Sequence, residues 1–420
     1  MNKIRISSFC IYTIVLSSFV YADNWVQYRG LAGDGASSES IGNVNWETKP
    51  PKVLWTSPTP LGFSSLAVAD GRVFTIVARE VSGKKLEVCL ALDAESGREL
   101  WGVQLGESDY GHDGGNSGAP DNRGGDGPRA TPASDGKLVF VYDSHMLLSC
   151  LNASNGELVW KHDIVEEFGG QPIKWRNASS PLFIGDVIYV GGGGKGQSFL
   201  AFNKETGKLI WKSGDETITH ATPCFAEIGG ARQVIFFAQS GLVGIAAEDG
   251  KELWRSKFPF SVSSAASPVV EGSRVYCSAG YGVGSAVFEV SASPEAKEVW
   301  FKPNRLMNHW STPVIRDGHL YGIYEFKKYG KAPLLCVELA TGEIKWSQLG
   351  FGPGNCILVG DNLVVLSDSG EVVIASASPD KYTELGRVQA VKGKCWSTPA
   401  FSNGRIYVRS TEEAACLDVN

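Results

Sequence analysis

The chain has 420 residues, of which 43% are apolar and 50 are glycine, and its formal net charge is −6. This acidic balance, without a basic cluster, argues against a nucleic-acid-binding role. No internal window reaches the roughly 20 consecutive apolar residues that a membrane-spanning helix needs, so we do not expect an integral membrane protein.

The first 22 residues have the pattern of a secretory signal peptide. Lys3 and Arg5 precede an apolar stretch over residues 9–20, and the small residue Ala22 closes the segment. The pattern predicts export to the periplasm or the extracellular space. Residues 23–420 are then expected to form one mature domain, a monomer associated at most peripherally with the cell envelope.

A ten-residue phrase, LDAESGRELW at residues 92–101, returns along the chain. Later copies cover residues 151–160 and 202–211, and shorter versions end at Trp254, Trp300 and Trp346. From Trp55 onward the tryptophans stand 43 to 59 residues apart, which is the length of a four-stranded propeller blade. The Asp/Asn-x-x-Ser/Thr-Gly part of the phrase predicts a tight turn between the two outer strands of each blade.

A second phrase, Ser or Thr followed by Pro and a short apolar strand, keeps step with the first. Its prolines are Pro132, Pro181, Pro223, Pro268, Pro313 and Pro399. Two degenerate versions surround residues 70–71 and 360–361, so the sequence predicts eight blades. No segment has a sustained 3.6-residue apolar period, and we therefore expect almost no helix.

The two ends of the chain complement each other. Residues 416–420 begin the repeated phrase but stop before its tryptophan, whereas residues 52–55 supply a strand ending in Trp55 with no phrase before it. We therefore predict an all-β, eight-bladed propeller that is closed by pairing of its N- and C-terminal strands, which removes the open sheet edge.

The repeated phrase resembles the pyrroloquinoline quinone (PQQ) repeat over nearly the whole mature chain. Residues 25–30 (WVQYRG), the segment 308–313 (NHWSTP) and the segment 393–396 (GKCW) are similar to exported bacterial PQQ-like propellers, especially those of planctomycete type. The resemblance implies the quinoprotein alcohol dehydrogenase-like fold. It also links the chain to outer-membrane assembly scaffolds, so by itself it does not indicate whether the protein is an enzyme or a scaffold.

Two functions follow from this resemblance, and the aromatic residues of the candidate site described below suggest a third. Many quinoprotein alcohol dehydrogenases carry two adjacent cysteines under the cofactor, together with a calcium-binding Glu/Asn/Asp set and a catalytic Asp. This chain has no adjacent cysteines. We therefore favour a binding or scaffold protein that uses one mouth of the central channel for a small molecule or a protein. A PQQ-dependent oxidoreductase acting on an alcohol or sugar, with PQQ and calcium, is the first alternative, and a carbohydrate-binding module is the second.

Alignment of the blades on the Ser/Thr-Pro phrase yields a candidate site. The residues three or five positions before the proline include Arg129, Arg176, His220, Asn308, Trp310, Lys394 and Trp396. These positions are predicted to start the innermost strands and so to ring one mouth of the channel. Cations beside aromatic rings suit a planar polycarboxylate such as PQQ, with Trp310 or Trp396 stacking on it, or a sugar. Alternatively, the aromatic rings plug the channel and the cations solvate its rim.

The longest interruption of the repeat is the Gly-, Asp- and Asn-rich segment 107–128, which leads into Arg129. We predict a lid over the mouth, and two interpretations of its oxygens stay open: a calcium site, or an ordinary solvated loop. No His spacing indicates a zinc site.

Eight cysteines follow the signal segment. Cys150, Cys336 and Cys416 share one repeat position, where other blades have Ala or Gly, and we predict them to be core residues without disulfides. Cys356 and Cys395 belong to neighbouring blades, and a disulfide between them stays open.

Overall fold

The computed structural model describes residues 24–108, 127–325 and 332–420. The predicted signal peptide and nearly all of the predicted lid lie outside these residues. Within them the chain forms 33 strands and one short helix, Ile164–Phe168, so the expectation of almost no helix is confirmed for the described part.

Eight sheets make up the described architecture. Two strands precede the first complete blade, namely β1 (Ala36–Ser37) and β2 (Lys52–Pro58). Blade 1 consists of β3 (Ala67–Ala69), β4 (Arg72–Val81), β5 (Lys84–Asp93) and β6 (Glu99–Glu107), and blade 2 of β7 (Ala133–Ser134), β8 (Leu138–Tyr142), β9 (Leu147–Asn152) and β10 (Leu158–Asp163). Blade 3 consists of β11 (Leu182–Ile184), β12 (Val187–Gly191), β13 (Phe199–Asn203) and β14 (Leu209–Ser213), and blade 4 of β15 (Cys224–Ile228), β16 (Ala231–Ala238), β17 (Gly241–Ala246) and β18 (Glu252–Lys257). Blade 5 consists of β19 (Val269–Glu271), β20 (Arg274–Ala279), β21 (Gly284–Glu289) and β22 (Lys297–Pro303). Blade 6 consists of β23 (Val314–Arg316), β24 (His319–Ile323), β25 (Leu334–Glu338) and β26 (Ile344–Gln348). Blade 7 consists of β27 (Asn355–Val359), β28 (Asn362–Leu366), β29 (Glu371–Ser376) and β30 (Glu384–Gln389). Blade 8 combines β31 (Ala400–Ser402), β32 (Arg405–Arg409) and β33 (Glu413–Asp418) with β2.

The ring is closed as the sequence predicts. Strand β2 pairs antiparallel with β33, and Trp55 lies opposite Cys416. The first strands of successive blades contact one another, for example β3 with both β7 and β31, so they form the wall of the central channel. The prediction of an eight-bladed, all-β propeller closed by its terminal strands is therefore confirmed.

In six blades the tryptophan of the repeated phrase forms a lock, which is a hydrogen bond to the turn of the next blade. The seventh phrase tryptophan, Trp254, donates instead to Gln233 Oε1 within its own blade. In each lock the indole Nε1 of the phrase tryptophan donates to a backbone carbonyl in the turn of the next blade, at 2.8 to 3.0 Å. The donor and acceptor residues are Trp55 and Ala94, Trp101 and Ala153, Trp160 and Lys204, Trp211 and Ala247, Trp300 and Leu339, and Trp346 and Ser378. The turn glycine is required because Gly97 has φ +69° and a Cβ there would lie 2.6 Å from the ring of Trp55.

Blade 7 has Gly386 where the other outer strands have tryptophan, since Gly386 pairs with Ile374 as Trp101 pairs with Ala91. Trp46, from the segment before β2, covers this glycine, and a Cβ on Gly386 would lie 2.7 Å from the Cβ of Trp46. The N-terminal region thus supplies the aromatic ring that blade 7 lacks.

The Ser/Thr-Pro phrase forms a hydroxyl ring around the channel. In five blade pairs the backbone N–H of the phrase residue in one blade donates to the hydroxyl of its counterpart in the next blade, at 2.8 or 2.9 Å. The donor and acceptor residues are Ser65 and Thr131, Thr131 and Ser180, Ser180 and Thr222, Ser267 and Thr312, and Thr398 and Ser65. The phrase therefore has a structural role in joining the blades at the channel wall.

The segment 25–37 crosses the channel. It bonds to blades on both sides of the axis, at their innermost strands or just before them, through Trp25 to Val68, Val26 to Ser134, Gln27 to Phe183, Arg29 to Thr312 and Gly35 to Leu358. Blades 3 and 7, which contain Phe183 and Leu358, face each other across a ring of eight. The segment ends beside the turns that follow the innermost strands, where Gly360 N–H donates to the carbonyl of Ser37 at 3.2 Å. It thus closes one mouth of the channel, which we call the lower mouth.

The eight cysteines within the described residues are all buried and free, including Cys356 and Cys395. The disulfide left open by the sequence is therefore not formed. In the described part of the chain, no helix has the length and apolar character needed to cross a membrane.

Candidate mouth site

The seven predicted site residues lie in the connections that precede the innermost strands, four or six residues before each strand begins. The prediction that they start those strands is wrong by four or six residues, because the Ser/Thr-Pro phrase itself comes before the first hydrogen bond between the strands. These connections lie at the opposite end of the channel from the segment 25–37. We call this end the upper mouth.

An aromatic stack forms one side of the upper mouth. The rings of Trp310 and Trp396 stack with their centroids 4.2 Å apart, and Phe63 stacks on Trp396 at 4.8 Å. Both indoles are also held by hydrogen bonds, from Trp310 Nε1 to the carbonyl of Pro353 at 3.2 Å and from Trp396 Nε1 to Asp368 Oδ1 at 2.7 Å. The two predicted tryptophans therefore come together and pack on each other.

Lys394 belongs to the same side of the mouth. Its Nζ lies 3.8 Å from Asp368 Oδ1 and 4.9 Å from the ring centre of Trp396. The carboxylate of Asp368 thus contacts both Lys394 and Trp396, which fixes these two side chains and offsets the lysine charge.

The other side of the mouth combines cations with histidines. Arg129 Nη1 donates to the carbonyl of Trp175 at 3.2 Å. His220 Nε2 lies 2.8 Å from the carbonyl of Lys174, and Ser263 Oγ lies 2.9 Å from His220 Nδ1. Because a carbonyl can only accept, His220 carries its proton on Nε2 and Nδ1 accepts from the Ser263 hydroxyl.

Burial keeps His220 neutral, and likewise His309, the residue before Trp310. It lowers the pKa of His220 to about 4, with a further contribution from the charge of Arg129. Burial likewise lowers the pKa of His309 to about 3, with smaller effects of His220 and Arg129. At neutral pH the positive charge of this side therefore resides on arginine and lysine side chains rather than on the histidines.

Arg176 has an unusual backbone. Trp175 and Arg176 have φ values of +65° and +61°, although neither is a glycine. Such conformations cost about 1–3 kcal/mol each and collect at functional sites. The Nε atom of Arg176 is buried without a hydrogen-bond partner, so this guanidinium is positioned by strained backbone and is incompletely satisfied within the protein.

Asn308 does not line the mouth, because it is fully buried. Its Nδ2 donates to the carbonyl of Ile323 at 2.8 Å, and its Oδ1 accepts from the hydroxyl of Tyr276 at 2.7 Å. The even spacing between Asn308 and Trp310 indicates a shared face only in an extended strand, and these residues lie in an irregular connection.

Sequence reasoning missed three residues of this site. Trp175, whose ring centroid lies 6.2 Å from that of His220, and His309, 5.1 Å from Trp310, each stand next to a predicted residue. Attention to the neighbours of each predicted position could have identified them. Asp368 follows the second strand of blade 7, outside the aligned phrase, and no sequence signal marks it.

The arrangement does not fit a PQQ cofactor stacked on Trp396. The ring of Trp396 already contacts Phe63, Trp310 and Lys394, so it offers no open face to a quinone. Lys394 lies beside Asp368, which competes with a ligand carboxylate for its charge. We therefore derive no redox step from this mouth. What it can supply is the guanidinium groups of Arg129 and Arg176 across the mouth from the aromatic stack, which suits carboxylate recognition.

A family model described as outer membrane protein assembly factor BamB matches residues 84–348. The BamB of Shewanella oneidensis is 23% identical over 239 residues, which cover 52% of this chain and 56% of that protein. The alignment thus spans little more than half of the relative's length.

Two solved structures share the propeller. The quinohemoprotein alcohol dehydrogenase of Comamonas testosteroni superposes with a TM-score of 0.65 at 14% identity, covering 94% of this chain and 80% of that one. BamB of Moraxella catarrhalis superposes with a TM-score of 0.59 at 14% identity, covering 88% and 97%. Identities this low indicate the fold alone. Because the family model covers more than half of the chain, the protein belongs to the PQQ-repeat propeller family described as outer membrane protein assembly factor BamB.

Proposed function

We propose that the protein is exported and acts in the cell envelope as a protein-binding scaffold, whose upper mouth holds an acidic segment of a partner. By the name of its relatives, that partner would belong to outer-membrane protein assembly. Arg129 and Arg176 recognise carboxylates of the segment, and the aromatic stack forms the opposite wall of the mouth.

The observation that carries this proposal is the state of Arg176. A guanidinium prefers a carboxylate in a bidentate pair, and Arg176 is held in a strained conformation with a buried nitrogen that lacks a partner. Because Arg176 is only half-buried, a carboxylate from another molecule would pair with its terminal nitrogens, whereas the buried Nε is out of reach. The aromatic stack, which is rigid and packed on itself, supports a fixed docking surface better than a slot for a planar cofactor.

The first experiment measures binding of a fluorescein-labelled peptide of ten glutamates by fluorescence anisotropy. We expect saturable binding that weakens as salt is raised, and an affinity at least tenfold lower for Arg129→Ala/Arg176→Ala. The matched control is Arg72→Ala/Arg316→Ala, which removes two arginines whose ion pairs with Asp70 and Asp361 lie at the turns of the lower mouth. Equal losses in both double variants would refute a site at the upper mouth.

The second experiment tests the envelope role. Deletion of the gene in its host should lower the amount of folded outer-membrane protein, and the intact chain should restore it. The Arg129→Ala/Arg176→Ala variant should not restore it at equal protein level. Full restoration by this variant would mean that the assembly role does not depend on the upper mouth.

A further inference from the structure

A histidine joins blade 2 to blade 3 beside one of the inter-blade locks. His162 stands two residues after Trp160 in β10, so both side chains lie on the strand face that packs on blade 3. Trp160 Nε1 donates to the carbonyl of Lys204 at 2.9 Å, and His162 Nε2 lies 2.7 Å from the carbonyl of Gly207 in the same turn. Blade 2 thus has a second polar contact with this turn, and the contact plays no part in the proposed function.

The other ring nitrogen of His162 faces the helix α1 (Ile164–Phe168). Its Nδ1 lies 2.7 Å from Glu167 Oε2. The second oxygen of the same carboxylate, Oε1, accepts from the backbone N–H of Asp163 at 2.8 Å, and Asp163 itself caps the helix. The Glu167 carboxylate is therefore fixed at the start of the helix, with one oxygen directed at the imidazole.

Both ring nitrogens of His162 contact groups that only accept. A neutral imidazole has one N–H and one lone pair, so at 2.7 Å one of the two contacts would set a lone pair against an oxygen lone pair. Imidazole is a stronger base than a carboxylate, so the proton between His162 and Glu167 belongs to the ring. The ring also stacks on Phe202, with centroids 4.8 Å and planes 25° apart, and a cation gains from contact with an aromatic face. The geometry fits an imidazolium.

The other charged side chains on the elements around His162 are paired or exposed. The strands β9 and β13 contain no charged residue. In the turn of blade 3, Lys204 forms ion pairs of its own with two aspartates. The remaining charges near the ring are exposed side chains of β10, α1 and the turn, namely Lys161, Glu166, Glu205 and Lys208, together with the capping Asp163. Glu167 is thus the charge that contacts the ring.

We propose that His162 is a pH-sensitive clasp, which as an imidazolium ties blade 2 and α1 to the turn of blade 3 and opens toward blade 3 when it loses a proton. A carboxylate is a stronger acceptor than a carbonyl, so the remaining proton stays on Nδ1 beside Glu167. Nε2 then presents a lone pair to the carbonyl of Gly207, and that contact must lengthen. The equivalent positions of other blades hold residues that do not titrate near neutral pH, for example Val103 and Lys302.

The test is NMR spectroscopy of the full mature chain with 15N-labelled histidine, because the ring nitrogens show directly which of them carry protons. The signals of His162 are those missing from His162→Gln, and an Overhauser effect to the ring of Phe202 verifies the assignment. At pH 7.5 we expect both nitrogens to be protonated in more than half of the molecules, whereas an ordinary histidine is about one tenth protonated. At pH 9.5 we expect the proton on Nδ1 to remain and that on Nε2 to be lost.

Glu167→Gln keeps an acceptor for the Asp163 N–H but removes the charge beside the ring. It should lower the doubly protonated fraction of His162 at pH 7.5 at least threefold. The matched control, Glu166→Gln, removes an exposed carboxylate from the same helix and should leave this fraction unchanged. A single protonated nitrogen in the intact chain at pH 7.5, or an equal fraction in Glu167→Gln, would overturn the proposal. So would the finding that Nε2 is the nitrogen that keeps its proton at pH 9.5.

Discussion

The guanidinium of Arg29 donates to the carbonyl of Thr312 at 2.9 Å, inside the channel of the propeller. It also donates to the carbonyls of Pro313 at 2.9 Å and Asp34 at 2.6 Å, and the side chain is fully buried. Every one of these acceptors is a backbone carbonyl. Arg29 therefore ties the crossing segment to the wall of blade 6 by hydrogen bonds, and burial lowers its pKa.

We expect Arg29→Met to lower the free energy of unfolding by about 2–4 kcal/mol, because it leaves several buried carbonyls without a donor. Urea unfolding followed by tryptophan fluorescence measures this change. The control is Arg98→Met, at an exposed position, which should change the free energy by less than about 0.5 kcal/mol. Equal stability of the two variants would mean that the crossing segment contributes little to the fold.

Trp46 gives a second prediction, because it replaces the missing tryptophan of blade 7. Trp46→Ala should destabilise the protein by about 3–5 kcal/mol, as for other buried Trp to Ala changes. Gly386→Ala should also destabilise it, since the new Cβ would lie 2.7 Å from the Cβ of Trp46. Differential scanning calorimetry of both variants tests the pair. The double variant should be less destabilised than the sum of the single variants, whereas strict additivity would argue against the contact.

The repeat explains which parts of the fold could be predicted. The blade count and the closure follow from the regular return of the tryptophan phrase, and the locks between blades, such as that of Trp101, repeat the same contact. The path of Arg29 and Trp46 could not be predicted, because the segment that carries them occurs once and its contacts are set by distant blades.

The candidate site, like the fold, could be predicted only in part from the sequence. The phrase alignment found Arg129, Arg176 and His220, which the structure brings to one side of the mouth. It also selected Asn308, which is buried, because alternation along a strand does not hold in the connections. Asp368 was not predicted, since a single acid in a turn has no distinguishing pattern in the sequence.

His220 predicts how stability depends on pH. The unfolded chain takes up this proton near pH 6.5 and the folded chain only near pH 4. Between these values the unfolded state binds more protons, so the free energy of unfolding falls as the pH is lowered. At pH 5 the cost is about 2 kcal/mol relative to neutral pH.

Urea unfolding at pH 7 and pH 5 measures this effect. We expect the fall in free energy between the two pH values to be smaller in His220→Gln by about 2 kcal/mol. His319→Gln is the control, because His319 lies at the lower mouth beside the Asp317 carbonyl. A pH dependence unchanged by His220→Gln would show that His220 is not held neutral in the folded state.

The packing of the upper mouth predicts the response to PQQ. Trp396 is stacked on two rings, and its indole N–H is bonded to Asp368, so a cofactor would have to separate Trp396 from Trp310 or Phe63 to stack on it. Breaking such aromatic contacts costs about 0.5–1.5 kcal/mol for each pair, before any ligand contact forms. We expect isothermal titration with PQQ to give no saturable heat, with or without calcium.

The triple variant Arg129→Ala/Arg176→Ala/Lys394→Ala tests whether any PQQ binding takes place at the upper mouth. If PQQ binds the intact chain and the triple variant does not bind it, the upper mouth opens for the cofactor and the scaffold function loses its main structural argument. If both bind PQQ equally, the cofactor occupies another surface. Absence of binding in both, with the glutamate peptide bound only by the intact chain, would agree with carboxylate recognition by arginine without a quinone.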